Sequence, residues 1–287
     1  LISGPKRYKI SINANSPMLD VATLMGPATK SARVIPDMPL PIDALQVIDA
    51  DIDLHFGSVK FDDAPPMGAL LVSAVIADGQ FAAKPVQLVV DPGKTLNIGI
   101  TADATKASWT MRADGTGIDL GKLLTHLGHP GVISGGSSDL KVQLDGRGKS
   151  LAALLGSLNG DARISVGPHR IFNFAVNPQA SLVLRAISPT NAAPDTDVKC
   201  LAAHVPIRNG VVNSVRNVAI ETAKYNAVLA GQVNLASESI DASVVPVVTS
   251  GFGIGDVTTV IKLRGNVFKP EVEISTVDVA VKSIASI

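Results

Sequence analysis

Apolar and polar residues alternate with a period of two along nearly the whole chain, and no other feature restricts the fold as much. Ile98, Ile100 and Ala102 alternate with more polar neighbours; so do Leu140, Val142 and Leu144, Ile164 and Val166, Val205 and Ile207, Val233 and Leu235, and Ile240, Ala242 and Val244. Successive side chains on a strand point to opposite faces, so each set describes a strand with one apolar and one wet face. Five pairs, Asp78-Gly79, Asp114-Gly115, Asp145-Gly146, Asn159-Gly160 and Asn209-Gly210, are of the kind that tight hairpins select, because both positions accept positive φ. Together they predict an antiparallel meander. Composition agrees: hydrophobic residues make up 46% but aromatics only 3%. The apolar content is therefore Val, Ile, Leu and Ala, rich in the branched side chains that suit strands.

Helices are expected to be few and short. Ser16-Pro17 reads as a helix start stopped by Gly26-Pro27, Asp119 as the cap of Leu120–Leu127 with Gly128 as its stop, and Ser150 as the cap of Leu151–Leu158. Asn177-Pro178 opens a further segment that ends before Ser188-Pro189. At about two turns each, these helices plug or lid a sheet and cannot form a layer. Residues 70–90 and 201–221 share one layout, a strand, an Asp/Asn-Gly pair and a second strand, and read as two copies of a meander unit. The 287 residues are read as one elongated β domain, 1–287, with 1–32 the tail of a preceding β part and 188–198 a soft seam.

Bulk properties exclude several partners. Twenty-five cationic residues balance twenty-five anionic ones, so no basic face is expected and no nucleic acid. Cys200 is the one cysteine, which rules out an intrachain disulfide or a Cys-based zinc site. The chain begins at Leu1 and is read as a fragment or a processed form. No apolar run approaches the roughly 18 residues of a membrane span, so any anchor is expected outside the given chain.

Motifs that suggest chemistry lack the residues it needs. Asp49, Asp51 and Asp53 alternate within a possible calcium loop, but its sixth and twelfth positions hold Leu54 and Lys60 where Gly and Glu are required. As a strand, the stretch puts these three Asp and His55 on a wet face, with Ile48, Ala50, Ile52, Leu54 and Phe56 on the other. His126 and His129 have no third zinc ligand at suitable spacing. Gly251–Asp256 is followed by a strand pattern where a dinucleotide loop needs a helix. Gly135–Asp139 lacks the Gly-x-Ser-x-Gly elbow and reads as a loop before a strand at Leu140. No catalytic residue, metal or cofactor is assigned, and no enzyme is expected. One-faced strands must still bury their apolar side. Two sheets packed as a sandwich, or one sheet curled around a groove, both satisfy that demand.

Three blocks favour the groove. Val34 to Leu54 has the form V-I-P-D-x-P-L-P-x-x-x-L-x-x-x-D-A-D-x-x-L; residues 138–167 run strand, Asp-Gly, short Ser-Leu helix, Asn-Gly, strand; and a third block runs from Cys200 through Asn209-Gly210 to residues 231–246. In this order they resemble the AsmA family of Gram-negative envelope proteins, to which TamB is related. The resemblance implies a mainly β fold: a long, curved antiparallel β-meander forming a hydrophobic groove, with a few short helices. It implies a periplasmic protein, anchored in the inner membrane by a segment absent from this chain, that carries or shields phospholipid or related lipids between the inner and outer membranes, in outer-membrane biogenesis. The partners it implies are lipid acyl chains and other envelope proteins. The alternative is a scaffold that assembles outer-membrane proteins through free sheet edges. The expected groove lining is Ile52, Leu54, Phe56, Val75, Ile98, Ile100, Trp109, Met111, Val142, Leu144, Ile164 and Val205.

Overall fold

A computed structural model of the chain describes residues 7–25, 37–61, 63–172, 195–222, 225–248, 258–267 and 269–277. In chain order its strands and helices are β1 (Tyr8–Ser16), β2 (Leu19–Asp20), α1 (Val21–Met25), β3 (Ile48–Phe56), β4 (Val59–Lys60), β5 (Leu70–Ala77), β6 (Gln80–Asp91), β7 (Lys94–Asp103), β8 (Ser108–Asp119), α2 (Leu120–His126), β9 (Ile133–Gly135), β10 (Ser137–Arg147), α3 (Leu151–Ser157), β11 (Asn159–Val166), β12 (His169–Phe172), β13 (Asp195–Arg208), β14 (Val211–Thr222), β15 (Tyr225–Asn234), β16 (Ser239–Val248), β17 (Thr258–Asn266) and β18 (Lys269–Val277). A short 3-10 turn, Asp43–Gln46, precedes β3.

Sixteen of these strands form one sheet. Its main path is β1-β3-β5-β6-β7-β8-β10-β11-β13-β14-β15-β16-β17-β18, with β9 and β12 attached beside β13. From β3 to β18 every neighbouring pair on that path is antiparallel, as the alternation predicts. The exception is β1, which pairs in parallel with β3. A parallel pair needs a crossover, and the long connection between these two strands supplies one.

Of the five expected turn pairs, Asp78-Gly79 and Asn209-Gly210 take positive φ at both positions and close the β5–β6 and β13–β14 hairpins. These hairpins are the two units of the repeat. The other three pairs are not turns but lie in β8, β10 and β11. There glycine serves close approach instead. A Cβ on Gly115 would meet Ile118 Cδ1 at 2.5 Å, one on Gly146 would meet Leu154 Cδ1 at 2.8 Å, and one on Gly160 would strike the Gln143 carbonyl.

Two helices start where their caps predict. The Asp119 carboxylate accepts from the Lys122 amide at the head of α2. The Ser150 hydroxyl accepts from the Ala153 amide at the head of α3. The first helix is displaced from its expected start: Ser16 ends β1, and α1 opens at Val21 behind Asp20, whose carboxylate accepts from the Ala22 amide. The strand expected from Leu140 begins at Ser137. The segment from Asn177-Pro178, residues 188–194 of the seam, and Gly251–Asp256 lie outside the described residues; Asp195–Val198 belong to β13. No helix among the described residues is long and apolar enough to cross a membrane.

Candidate functional site: an apolar trough with two plugged rims

Strand register carries one face across the whole sheet. On β3 it holds Ala50, Ile52, Leu54 and Phe56, which pair with Ile76, Ala74, Val72 and Leu70 of β5. From there it passes through Phe81, Ala83 and Leu88 on β6 to Leu96, Ile98, Ile100 and Ala102 on β7. It continues with Trp109, Met111 and Ala113 on β8 and Leu140, Val142 and Leu144 on β10. Ala162 and Ile164 follow on β11, then Leu201, Ala203, Val205 and Ile207 on β13. Beyond these, Ile220, Leu229, Val244, Ile261 and Ile274 carry it to β18. No charged side chain interrupts this succession. At about 4.8 Å per strand step, the fourteen strands of the main path extend it over roughly 60 Å.

The opposite face is polar. Asp49, Asp51, Asp53 and His55 stand on it, beside Lys9, Ser11, Asn13 and Asn15 of β1. Asp49 accepts from Arg7 at 2.7 Å and from the Asp78 amide at 3.2 Å. Farther along, Gln87 donates to Asn97, which donates to Asp114, a ladder across three strands. A hollow of about 570 Å³ lies beside Asp114, Asp139, Lys141 and Arg163. Two acids and two bases leave it no net charge to recruit an ion. Among the described residues, no three His, Cys, Asp or Glu side chains are grouped to hold a metal.

Among the described residues, the apolar face is covered along its two long rims over the first half of the sheet. At one rim Ile42 and Leu45, from the 3-10 turn, form a buried cluster with Ala102 and Ala104, against which Ile76, Phe81 and Trp109 pack. The segment that bears them is a strap from β10 back to β3. It is tied to the head of α3 by the Leu40 amide donating to the Lys149 carbonyl and the Leu151 amide donating to the Met38 carbonyl, both at 2.8 Å. Lys149 also pairs with Asp43 at 2.9 Å. Trp109 Nε1 donates to the Gly148 carbonyl at 3.0 Å, fixing the corner where strap, β8 and α3 meet. At the other rim Val59, Met67, Val90 and Ile118 form a second cluster, joined by Leu19, Val21, Leu70, Leu88, Leu96 and Leu123. Lys122 of α2 reaches Asp91 at 2.6 Å there. That hydrogen bond raises the lysine's pKa above its ordinary value.

Between the plugs two rows of side chains belong to neither cluster. One is Ile52, Ala74, Ala83, Ile100, Met111 and Leu144; the other is Leu54, Val72, Val86, Ile98, Ala113 and Val142. The structure therefore brings together eleven of the twelve expected lining residues on one face. Ile52, Leu54, Ile98, Ile100, Met111, Val142 and Leu144 stand in the open rows, and Val205 continues the second of them. Phe56 and Ile164 stand in the row beside the second rim, and Trp109 belongs to the first plug. Val75 is a correction: it pairs with Asp51 and lies on the polar face. Strand β5, LLVSAVIA, is apolar in both parities, so alternation alone does not orient it. Ser73, its one polar residue, is the signal that marks Val75's parity as the wet one. Sequence reasoning also missed the strap, because its prolines look like a lead into β3 and its partners lie about a hundred residues away.

A family model described as the AsmA family matches residues 27–216. No curated protein and no solved structure matches the chain.

Proposed function

The chain belongs to the AsmA family, a family of envelope proteins, and from that premise we propose that it carries or shields lipid acyl chains in the trough. The reading rests on one observation: the apolar face runs unbroken through every strand of the main path, while among the described residues its plugs stop at the rims and leave two rows over β3–β10 that belong to neither. Burying a methylene is worth about 0.8 kcal/mol, so a sixteen-carbon tail in water costs on the order of 13 kcal/mol. Aliphatic walls remove that cost at every position along the sheet equally, and a cargo that is nowhere held more tightly can slide. The acyl chains lie crosswise to the strands, and the head group stays at the open mouth in water. This is a non-enzymatic role in the periplasm, between inner-membrane anchor and outer membrane, in outer-membrane biogenesis.

The scaffold alternative needs an edge strand that accepts a partner. The last described strand, β18, carries Pro270, which lacks an N–H to offer, and the exposed acids Glu271 and Glu273. Both features blunt strand addition at that edge. Lipid extraction and mass spectrometry of the purified protein test the reading. Co-purified lipid is expected, and Ile98→Asp with Val142→Asp, which put charges on the floor, should reduce it at least tenfold. A wild-type protein that retains no lipid, or a doubly charged floor that retains as much as wild type, would sink it.

A further inference from the structure

We propose that the outer face of β14–β16 docks a second copy of this chain, back to back, and that a bulge in β14 is the knob that sets the register of the pair. The inference goes beyond the lipid-carrying reading and does not depend on what the trough holds.

The face opposite the trough changes character along the sheet. Over its first part it is charged, with Asp51 and Asp53 on β3, Arg112 and Asp114 on β8, Lys141 on β10 and Arg163 on β11. On β14–β16 its central positions are apolar. Val215 stands beside Ala230, and Ala219 stands beside Val228, which stands beside Val245. The other parity of these strands, with Val218, Leu229 and Val244, faces the trough. They are therefore apolar on both sides, the pattern of strands covered on both faces.

A built projection stands in this patch. Val215 pairs with Ala230 and Val218 with the adjacent Leu229, so Arg216 and Asn217 are extra residues in β14. On the other side, β13 advances four residues, Ala203 to Ile207, where β14 advances six, Val212 to Val218. The bulge is held from within. The buried Ser214 hydroxyl donates to the Leu229 carbonyl at 2.9 Å and accepts from the Asn217 amide at 3.2 Å. Arg216 sits at φ +66°, a conformation that a non-glycine residue adopts only when its surroundings impose it. Val215 is 74% exposed, more than any other large apolar side chain among the described residues. The Arg216 guanidinium has no partner among them.

The patch is complementary to itself. A two-fold axis lying between two stacked sheets, parallel to β15, preserves height along the strands and exchanges β14 with β16. Val228 and Ala230 then meet their own copies, Ala219 meets the partner's Val245, and Val215 meets the partner's Ser243. One row away, about 7 Å along the strand and within reach of an arginine, is the partner's Asp241. That carboxylate is 80% exposed, with Arg264 only at 3.7 Å. Arg216 and Asp241 thus pair twice across the axis. Five strands, β13–β17, by about eight residues give roughly 600 Å² per copy, the low end for a specific interface and consistent with micromolar affinity.

Sedimentation velocity from about 1 to about 300 µM tests the pair, in reducing buffer so that the exposed Cys200 cannot link copies. A reversible dimer is expected. Arg216→Glu and Asp241→Arg should each weaken it at least tenfold, because each sets like charges together. The double variant Arg216→Glu with Asp241→Arg should return to within threefold of wild type. Deleting Arg216 and Asn217 removes an even number of residues, so every later side chain keeps its face. That variant should fold, as a thermal melt will show, and dimerise at least tenfold less. A protein that stays monomeric throughout the range would overturn the proposal. So would single reversals that dimerise like wild type, a double variant no better than the singles, or a folded deletion variant that dimerises undiminished. Each of these results would leave the lipid-carrying reading standing.

Discussion

The two rims of the trough do the same job with different chain topology. The rim at Val59, Met67, Val90 and Ile118 is built from segments that adjoin the strand ends they cover. The rim at Ile42 and Leu45 is built by a strap whose partners, Lys149 and Ala152, lie 106 and 115 residues from Asp43 and Asp37. Closing so long a loop costs more entropy than closing a short one, though the cost grows only logarithmically. The difference teaches that covering an apolar sheet does not require a second layer. A local plug and a long-range strap, each burying a handful of side chains, bound an open strip.

Breaking the plugs separately should expose this asymmetry. The largest effect is expected from Ile42→Ala and Met67→Ala. Ile42 is fully buried and Met67 nearly so, and truncation of such side chains typically costs about 2–5 kcal/mol. Ile42→Ala should speed hydrogen exchange at the Leu40 and Leu151 amides, which tie the strap, while the Val59 and Met67 amides keep their protection. Met67→Ala should do the reverse. Equal acceleration at both rims in either variant would mean that the plugs open as one unit. Next in size are the helix caps. Ser150→Ala beside the strap and Asp119→Ala at the other rim should each cost about 1 kcal/mol, read as a shift in denaturant midpoint. Lys149→Ala removes an exposed ion pair with Asp43 and should cost about 0.5 kcal/mol or less, an effect that fades with added salt.

The smallest effects concern pH, and they have opposite signs at the two rims. Asp103, in the turn beneath the strap plug, has its pKa lowered from 3.8 to about 2, first by the Thr105 hydroxyl and then by Lys106. A carboxylate with a depressed native value stabilises above its unfolded value, and that contribution disappears as pH falls from 3.8 through about 2. Lys122, at the other rim, has a raised value because it donates to Asp91. Its contribution is complete below 10.5 and disappears as pH rises through the higher native value. Acid should therefore loosen the turn after β7 first, and alkali the contact of α2 with β6. Amide exchange at Thr105 and Lys106 against that at Lys122, measured across pH, decides the point.

Most of this was legible in the sequence where one residue's neighbours decided its place. The parity of Ile98, Ile100, Val142 and Leu144 followed from alternation, and the heads of α2 and α3 followed from Asp119 and Ser150, because caps and pleats are local. What failed was non-local. Asp114-Gly115, Asp145-Gly146 and Asn159-Gly160 carry turn chemistry, yet they lie within strands because Ile118, Leu154 and a neighbouring backbone need the space a side chain would take. Val75 was misplaced because its strand is apolar on both sides, so only the pairing with Asp51 fixes its face. Trp109 looked like lining and became part of a wall, since the strap that covers it comes from another part of the chain.

Because β5 to β18 join the main path in chain order, the molecule can change length as a ladder does, by gaining or losing a pair of rungs. Duplication of one hairpin returns the chain to the same rim, in the same direction and with the same residue parity, so no other strand must repack. Each added pair lengthens the path by about 10 Å. The matching layouts of residues 70–90 and 201–221 are what such growth would leave behind. A sheet of this design can be lengthened by copying, without redesign of any surface.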